Sequence, residues 1–417
     1  MKNINATIVT IGDELLIGQV IDTNSSWMAQ KLNQAGISVK KRIAIGDSAG
    51  DIGDMLDSES READVVLITG GLGPTSDDIT KEALCKYFNG KMIVNEGALE
   101  NVKYLFEKIY NKPVSEVNLA QAEVPDVCEV IQNKRGSAPG MIFRKGDTIF
   151  ISMPGVPYEM KGMMEEAIPY LKKQFKLPVI IHRTILTAGI GESALAEIIA
   201  GFEKKLPAAI RLAYLPNYGM VRLRLTTSGF DEIATKKLIE DQFDKLRILV
   251  KKYLVTDEDE PMQVVLGKLL LENKKTLSTA ESCTGGTIAS LITSVPGASR
   301  YYEGSIVSYS YGVKETLLGV RNKTLSEQGA VSEATVVEML QGVLNRLNTD
   351  YGIAVSGIMG PGGGTADNPV GTVWIAVGNK EKQVAQKFKQ RFERDKNIEV
   401  TSVMALNMMR KFIVDNR

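Results

Sequence analysis

Along the first third of the chain, short apolar runs alternate with stretches of helical spacing. Residues 6–11, 39–45 and 65–69 are β-type runs, and residues 23–35, 52–58 and 80–88 place apolar side chains at helical intervals. Strand then helix, repeated, predicts a mainly parallel sheet with helices on both faces, a three-layer α/β domain. Ligands of such sheets bind at the carboxyl ends of the strands. Three polar loops fall there: Gly12-Asp13-Glu14, Gly46-Asp47, and Gly70-Gly71-Leu72-Gly73-Pro74-Thr75-Ser76-Asp77-Asp78. Between residues 177 and 254 the pattern shortens to a β-type run at 180–187, a helix from Gly191, an alternating strand at 221–226 and a helix over 231–250, which predicts a small α+β module. The acidic, proline-ended stretch around 256–261 then suits a solvated linker. Beyond it, helices and strands alternate again. The expected organisation is residues 1–172, a connecting module at 173–255, a linker at 256–262 and a second three-layer α/β domain at 263–417.

Composition narrows the chemistry. Of 417 residues, 44% are hydrophobic and 24% charged, which is ordinary for a globular protein and excludes disordered and fibrous classes. Fifty basic residues balance fifty acidic ones, so the broad positive field of a nonspecific nucleic-acid binder is absent and direct nucleic-acid binding is not expected. Three dispersed cysteines, Cys85, Cys128 and Cys283, form no paired framework, which predicts a reducing compartment. The first apolar run is too brief for a signal-peptide core, and no stretch is long enough to span a membrane, so a cytoplasmic location is expected. His182 is the single histidine and lies outside the last 155 residues. A serine nucleophile in that region would need another base, a desolvated lysine or a phenol polarised by lysine.

Four segments of the C-terminal region carry candidate chemistry. After the strand at 275–280 comes Glu281-Ser282-Cys283-Thr284-Gly285-Gly286 and then a helical run, so hydroxyls and amide N–H groups meet the positive end of a helix. Helix capping would use the same residues. Tyr309 and Lys314 follow in a strand-to-helix segment, 301–314. Ser356-Gly357-Ile358-Met359-Gly360-Pro361-Gly362-Gly363-Gly364 follows the apolar strand 351–355, and glycine at that density lets backbone amides approach a phosphate or carboxylate. The entry of a further strand, Pro369 to Val377, could line the same pocket. Cys283 is a rival nucleophile beside Ser282.

Residues 279–286, 304–314, 330–333, 356–364 and 369–374 together resemble the CinA C-terminal domain, the PncC family of nicotinamide mononucleotide amidohydrolases. The resemblance implies a serine nucleophile, Ser282, assisted by Tyr309 and Lys314, with no cofactor, and substrate contacts from Thr284, Gly285, Gly286, Gly357, Gly360, Gly362 and Gly363. The family commonly carries an arginine near the last strand, where this chain reads Phe392-Glu393-Arg394-Asp395-Lys396; Lys396 is expected in the arginine's place, or Arg394 from two residues earlier.

In the N-terminal region, carboxylates grouped around a glycine-rich turn suit a hard divalent cation, and the amides suit phosphate oxygens. Asp13, Glu14, Asp47 and Asp78 are the candidate ligands, with Gly70, Gly71, Gly73 and Thr75 as phosphate contacts. A helix cap at Asp77-Asp78 and a plain tight turn explain the same residues. Residues 12–16, 23–24, 70–78 and 154–160 resemble the molybdopterin-binding (MoCF-like) domain in the version found at the N-terminus of CinA proteins, and the middle module is similar to the one that joins the two in that family. The resemblance implies a metal-dependent ADP-ribose pyrophosphatase, with cobalt or magnesium as the ion; molybdopterin binding is the competing assignment. The expected partners are nicotinamide mononucleotide and ADP-ribose, no membrane, and a second copy of the chain in a homodimer. A binding protein associated with competence or DNA damage is the alternative from another class.

Overall fold

A computed structural model describes residues 3–217 and 219–416. The chain forms two compact units, one of residues 1–182, 207–211 and 226–241, the other of 183–206, 212–225 and 242–417. Among the described residues, no helix is long and apolar enough to cross a membrane.

The first unit is built on a six-stranded sheet in the order Ser38–Ile45, Asn5–Ile11, Val65–Thr69, Thr148–Met153, Gly140–Lys145, Glu129–Ile131. The first four strands run parallel, and each of the last two pairs antiparallel with the strand before it in this order. Val65–Thr69 is buried along its whole length, as expected of a central strand covered on both faces. Leu67 joins Met28, Leu32 and Met160 on one side, while Val66 and Ile68 join Ile52, Leu56 and Phe150 on the other. The helices Thr23–Gln34 and Pro157–Gln174 therefore cover one face, and Ala49–Glu62 and Thr80–Tyr87 the other. Asp22 and Ser48 start two of these helices by accepting the N–H of Ser25 (2.8 Å) and Asp51 (3.4 Å). His182 is a structural residue: its ring nitrogens meet Thr226 Oγ1 at 2.8 Å and Asn33 Oδ1 at 2.6 Å.

The second unit holds a five-stranded sheet in the order Tyr302–Val307, Leu277–Glu281, Tyr351–Gly357, Thr372–Gly378, Gln383–Lys389. It is mixed rather than mainly parallel: two pairs are parallel and two antiparallel. One of the antiparallel joins has a local cause. Asn379 Oδ1 accepts the N–H groups of Glu381 (2.9 Å) and Lys382 (2.7 Å), closing a hairpin where a crossover helix would keep the strands parallel. Helix Glu333–Leu347 buries Val336, Leu340 and Leu344 on one face of the sheet, and helix Arg394–Asp415 buries Leu406 and Met409 on the other. The intervening four-stranded sheet has the order Ile210–Asn217, Met220–Gly229, Val179–Ala188, Leu254–Thr256. The acidic stretch after it is tied down by ion pairs: Lys268 Nζ reaches Glu258 at 2.7 Å and Glu260 at 2.6 Å, and Arg222 reaches Asp259 at 3.5 Å.

Candidate active site

Strand Leu277–Glu281 ends at the sheet's carboxyl edge, and the chain turns at once into the short helix Thr287–Thr293. Gly285 (φ 60°) and Gly286 (φ 99°) adopt left-handed backbone that L side chains avoid, so the turn needs glycine at both. Ser282 sits at its apex, its N–H held by Val355 O at 3.0 Å. Ser310 caps helix Tyr311–Leu318, and that helix delivers Lys314, thirty-two residues on from Ser282, into the same place. Lys314 Nζ lies 2.9 Å from Ser282 Oγ and 2.5 Å from Ser308 O. Lys314 is 1% exposed and Ser282 7%. Burial pulls the Lys314 ammonium down to about 8, against a smaller opposing pull from the Cys283 thiol, so a neutral amine is within reach of ordinary pH.

Glu281 was not among the residues singled out from the sequence, and it organises the turn. Its fully buried carboxylate accepts Thr284 Oγ1 (2.7 Å), Ser305 Oγ (3.3 Å) and the N–H groups of Gly286 (3.0 Å), Ile288 (3.1 Å) and Ala289 (2.9 Å). The Gly285 N–H is used by Ser282 O at 3.2 Å. Thr284, Gly285 and Gly286 thus build the turn from within. Among the described residues, no backbone acceptor takes the N–H groups of Cys283 and Thr284, and these two directly follow Ser282. Cys283 itself is buried, and desolvation pushes its thiol up to about 12, which leaves it an inert packing group.

A cavity of about 230 Å³ opens from this dyad, lined also by Tyr309, Arg394 and Gly357, Gly360, Gly362 and Gly363. Tyr309 is 65% exposed, and its hydroxyl takes an N–H from Arg394 at 3.2 Å. The other end of the Arg394 guanidinium donates to Gly360 O at 2.8 Å. Arg394, not Lys396, reaches the cavity; Lys396 Nζ pairs with Glu399 at 2.8 Å. Arg394 is the first residue of the last helix, and a residue two positions on is turned by about 200° around the axis. Ser356, which also lines the cavity, donates to Ala330 O at 2.6 Å, and Ser332 caps helix Glu333–Leu347; the 330–333 motif is thereby a helix start tied to the pocket wall.

In the first unit, a cavity of about 380 Å³ is bordered by Glu14, Asp47, Gly70, Gly71, Gly73 and Asp78, among others. Side chains at these glycines would strike neighbours: a Cβ at Gly70 would overlap Ile11 O, one at Gly71 would overlap Thr80 Oγ1, and one at Gly73 the Asp78 carboxylate. Asp13 and Asp47 exchange backbone contacts, Asp13 N–H to Asp47 Oδ2 at 3.1 Å and Asp47 N–H to Asp13 Oδ1 at 3.3 Å. Asp78 Oδ2 accepts both the N–H (3.0 Å) and the hydroxyl (2.5 Å) of Thr75, as a turn-capping aspartate does. Burial, more than the neighbouring Asp13, Glu14 and Asp77 charges, raises the Asp47 carboxyl. Among the described residues, no three His, Cys, Asp or Glu side chains are placed to hold one metal ion. Asp13, Glu14, Asp47 and Asp78 therefore do not fit a protein-built cage for a divalent ion.

The fold and the two cavities define an α/β protein with one cavity at a buried serine–lysine pair and one glycine-rich, acidic cavity. The chain belongs to the CinA family. Residues 259–413 match the CinA C-terminal domain, 7–173 the probable molybdopterin binding domain and 182–256 the damage-inducible protein CinA KH domain. It is 49% identical to a CinA-like protein of Flavobacterium psychrophilum over 99% of both chains, and 38% identical to a putative competence-damage inducible protein of Caldicellulosiruptor bescii over 98% of this chain and 99% of that one. Among solved structures, a competence-damaged protein (CinA) superfamily protein from Klebsiella pneumoniae is 30% identical, covering 37% of this chain and 96% of its own, with a TM-score of 0.36.

Proposed function

We propose that the second unit is a serine amidohydrolase that converts nicotinamide mononucleotide to nicotinate mononucleotide and ammonia. The observation that carries this reading is the 2.9 Å contact between Lys314 Nζ and Ser282 Oγ, both buried. Ser282 Oγ attacks the carboxamide carbon as its proton passes to the neutral Lys314 amine. The carbonyl oxygen becomes an oxyanion facing the N–H groups of Cys283 and Thr284. Lys314 then gives its proton to the departing nitrogen, ammonia leaves, and water hydrolyses the acyl-serine with Lys314 again as base. The Arg394 guanidinium and the Gly360–Gly363 backbone are the groups that suit the nucleotide's phosphate. Incubating the full chain with nicotinamide mononucleotide and measuring ammonia and nicotinate mononucleotide tests the reading; the carboxamide returned intact defeats it.

A pH profile follows. Because Lys314 acts as the free amine and its pKa lies near 8, kcat/KM is expected to climb about tenfold per pH unit below that value and level off above it. A rate independent of pH from about 6 to 9 would remove lysine as the base. Stability should also rise with pH, in the window above the one where activity climbs. Lys314 binds a proton less readily folded than unfolded, so its burial opposes folding at neutral pH, and that penalty fades as pH rises from about 8 toward the ordinary lysine range. Lys314→Met is then expected to raise the melting step of the second unit at pH 7, by roughly 2–4 °C for each kcal/mol relieved.

For the first unit the proposal is recognition and pyrophosphate cleavage of ADP-ribose, supported by the glycine-rich turn at Gly70, Gly71 and Gly73 beside the cavity. The assay is ADP-ribose hydrolysis, run with and without added cobalt or magnesium. Asp47→Asn and Asp78→Asn are each expected to lower that hydrolysis about tenfold or more while amide hydrolysis stays unchanged, since Asp47 borders the cavity and Asp78 holds the Thr75 turn. Unaltered cleavage in both variants would leave a nucleotide-binding domain without this chemistry.

A further inference from the structure

The glycine turn and its carboxylates account for only part of the first unit's cavity. Its lining also includes Gln121, Ser137, Ala138 and Glu159, which no phosphate contact requires. Glu159 stands in the first turn of helix Pro157–Gln174, where a carboxylate commonly caps helix amides, yet this helix start has no side-chain cap. Glu159 is held for something else. Its Oε2 accepts Asn133 Nδ2 at 2.7 Å, and Asn133 is itself buried. The same Nδ2 reaches Ala138 O at 2.9 Å, Asn133 Oδ1 accepts the Arg135 N–H at 3.0 Å, and Asn101 Nδ2 donates to Asn133 O (2.8 Å) and Gly136 O (3.0 Å). A Cβ at Gly136 would overlap the Glu159 carboxylate, so the loop closes on it only with glycine there. Five hydrogen bonds thus fix one half-buried carboxylate at the cavity, with Oε1 left without a protein partner among the described residues. Burial pushes this carboxyl up, and the Asn133 bond holds it down by less.

Gln121 is an independent sign. It is 4% exposed, borders the same cavity, and its Oε1 has no hydrogen-bond partner. A buried polar atom left unpaired is costly, and a ligand donor removes that cost. Two acceptors in one lining call for a ligand bearing several O–H or N–H donors. A vicinal diol matches a carboxylate best, since both hydroxyls can donate to it, as in ribose recognition by acidic residues of nucleotide-binding folds. On the reading that this cavity takes a phosphorylated nucleotide, we infer that Glu159, with Gln121 in the same lining, selects for the ribose hydroxyls, so that the site discriminates ribonucleotides from their deoxy counterparts.

Calorimetric titration of the full chain with ADP, 2′,3′-dideoxy-ADP and ADP-ribose tests this. The unaltered protein is expected to bind ADP about tenfold more tightly than the dideoxy compound, the size of one or two hydrogen bonds to a charged group. Glu159→Gln keeps an acceptor for Asn133 and therefore the loop; it is expected to weaken ADP about tenfold and leave the dideoxy compound where it was. A variant that binds ADP as tightly as the unaltered protein, or that loses both compounds equally, overturns the role of Glu159 while the nucleotide reading stands. An unaltered protein that binds neither ADP nor ADP-ribose overturns the nucleotide reading and this inference with it.

Discussion

Ser282→Ala is expected to lower ammonia release from nicotinamide mononucleotide by at least about a thousandfold with the fold intact, because it deletes the proposed nucleophile and little else. The serine hydroxyl is nearly buried and, among the described residues, its side-chain partner is Lys314 Nζ, so the alanine leaves a void of a single oxygen. Lys314→Met should be almost as severe, since a buried serine without its base is a weak nucleophile. The two should not add: groups that act as a unit lose nearly everything with the first removal. Cys283→Ala should retain most of the rate, because the thiol is pushed up to about 12 by burial and is essentially never a thiolate at working pH. Ammonia release by each variant, with circular dichroism as the check on folding, decides the matter. A dead alanine at 283 with a live one at 282 would transfer the nucleophile to sulfur, and a double variant far slower than either single would show that serine and lysine act in separate steps.

Much of this site is legible in the primary structure, for identifiable reasons. A strand, a small polar loop and a helix in succession place Ser282 at a sheet edge whatever the rest of the chain does, and the absence of histidine from the last 155 residues leaves lysine or tyrosine as the base. The glycine loop at 357–363 is read in the same way. What the chain alone does not disclose is which side of a helix meets the cavity. Arg394 and Lys396 are equivalent as text; only the start of the last helix at Arg394 decides between them. Tyr309 illustrates the same gap, since its hydroxyl is engaged by Arg394 while, among the described residues, Lys314 is the side chain that meets the serine hydroxyl. In the first unit, acidic residues close in sequence suggest a shared ion. Folded, Asp78 is turned inward onto Thr75 and Asp13 faces Asp47 through backbone amides, local bonds that compete with a common ligand geometry.

Glu281→Gln is expected to cost the amidase about a hundredfold in kcat with little change in KM, and to lower the melting step of the second unit. An acidic residue at the end of a buried strand reads as a misfit until its neighbours are known: three N–H groups and two hydroxyls all point at it. A carboxylate can accept from all five, whereas an amide offers one oxygen and turns two N–H donors toward other donors. Each buried donor left unpaired costs about 1–3 kcal/mol, so the variant is destabilised by several times the effect of an ordinary surface change. The kinetic consequence comes from position. Glu281 holds Gly286 and the first turn of the helix, and through them the turn on which Ser282 meets Lys314 and which carries the Cys283 and Thr284 N–H groups proposed to receive the oxyanion. A displacement of about 1 Å in such an arrangement is worth about a hundredfold in rate, while the Arg394 side of the cavity, on another helix, still binds substrate. Glu281→Asp, one methylene shorter, should recover part of the stability but little of kcat. A Glu281→Gln protein with full kcat and a lowered melting step would show that the left-handed glycines alone hold Ser282 in place.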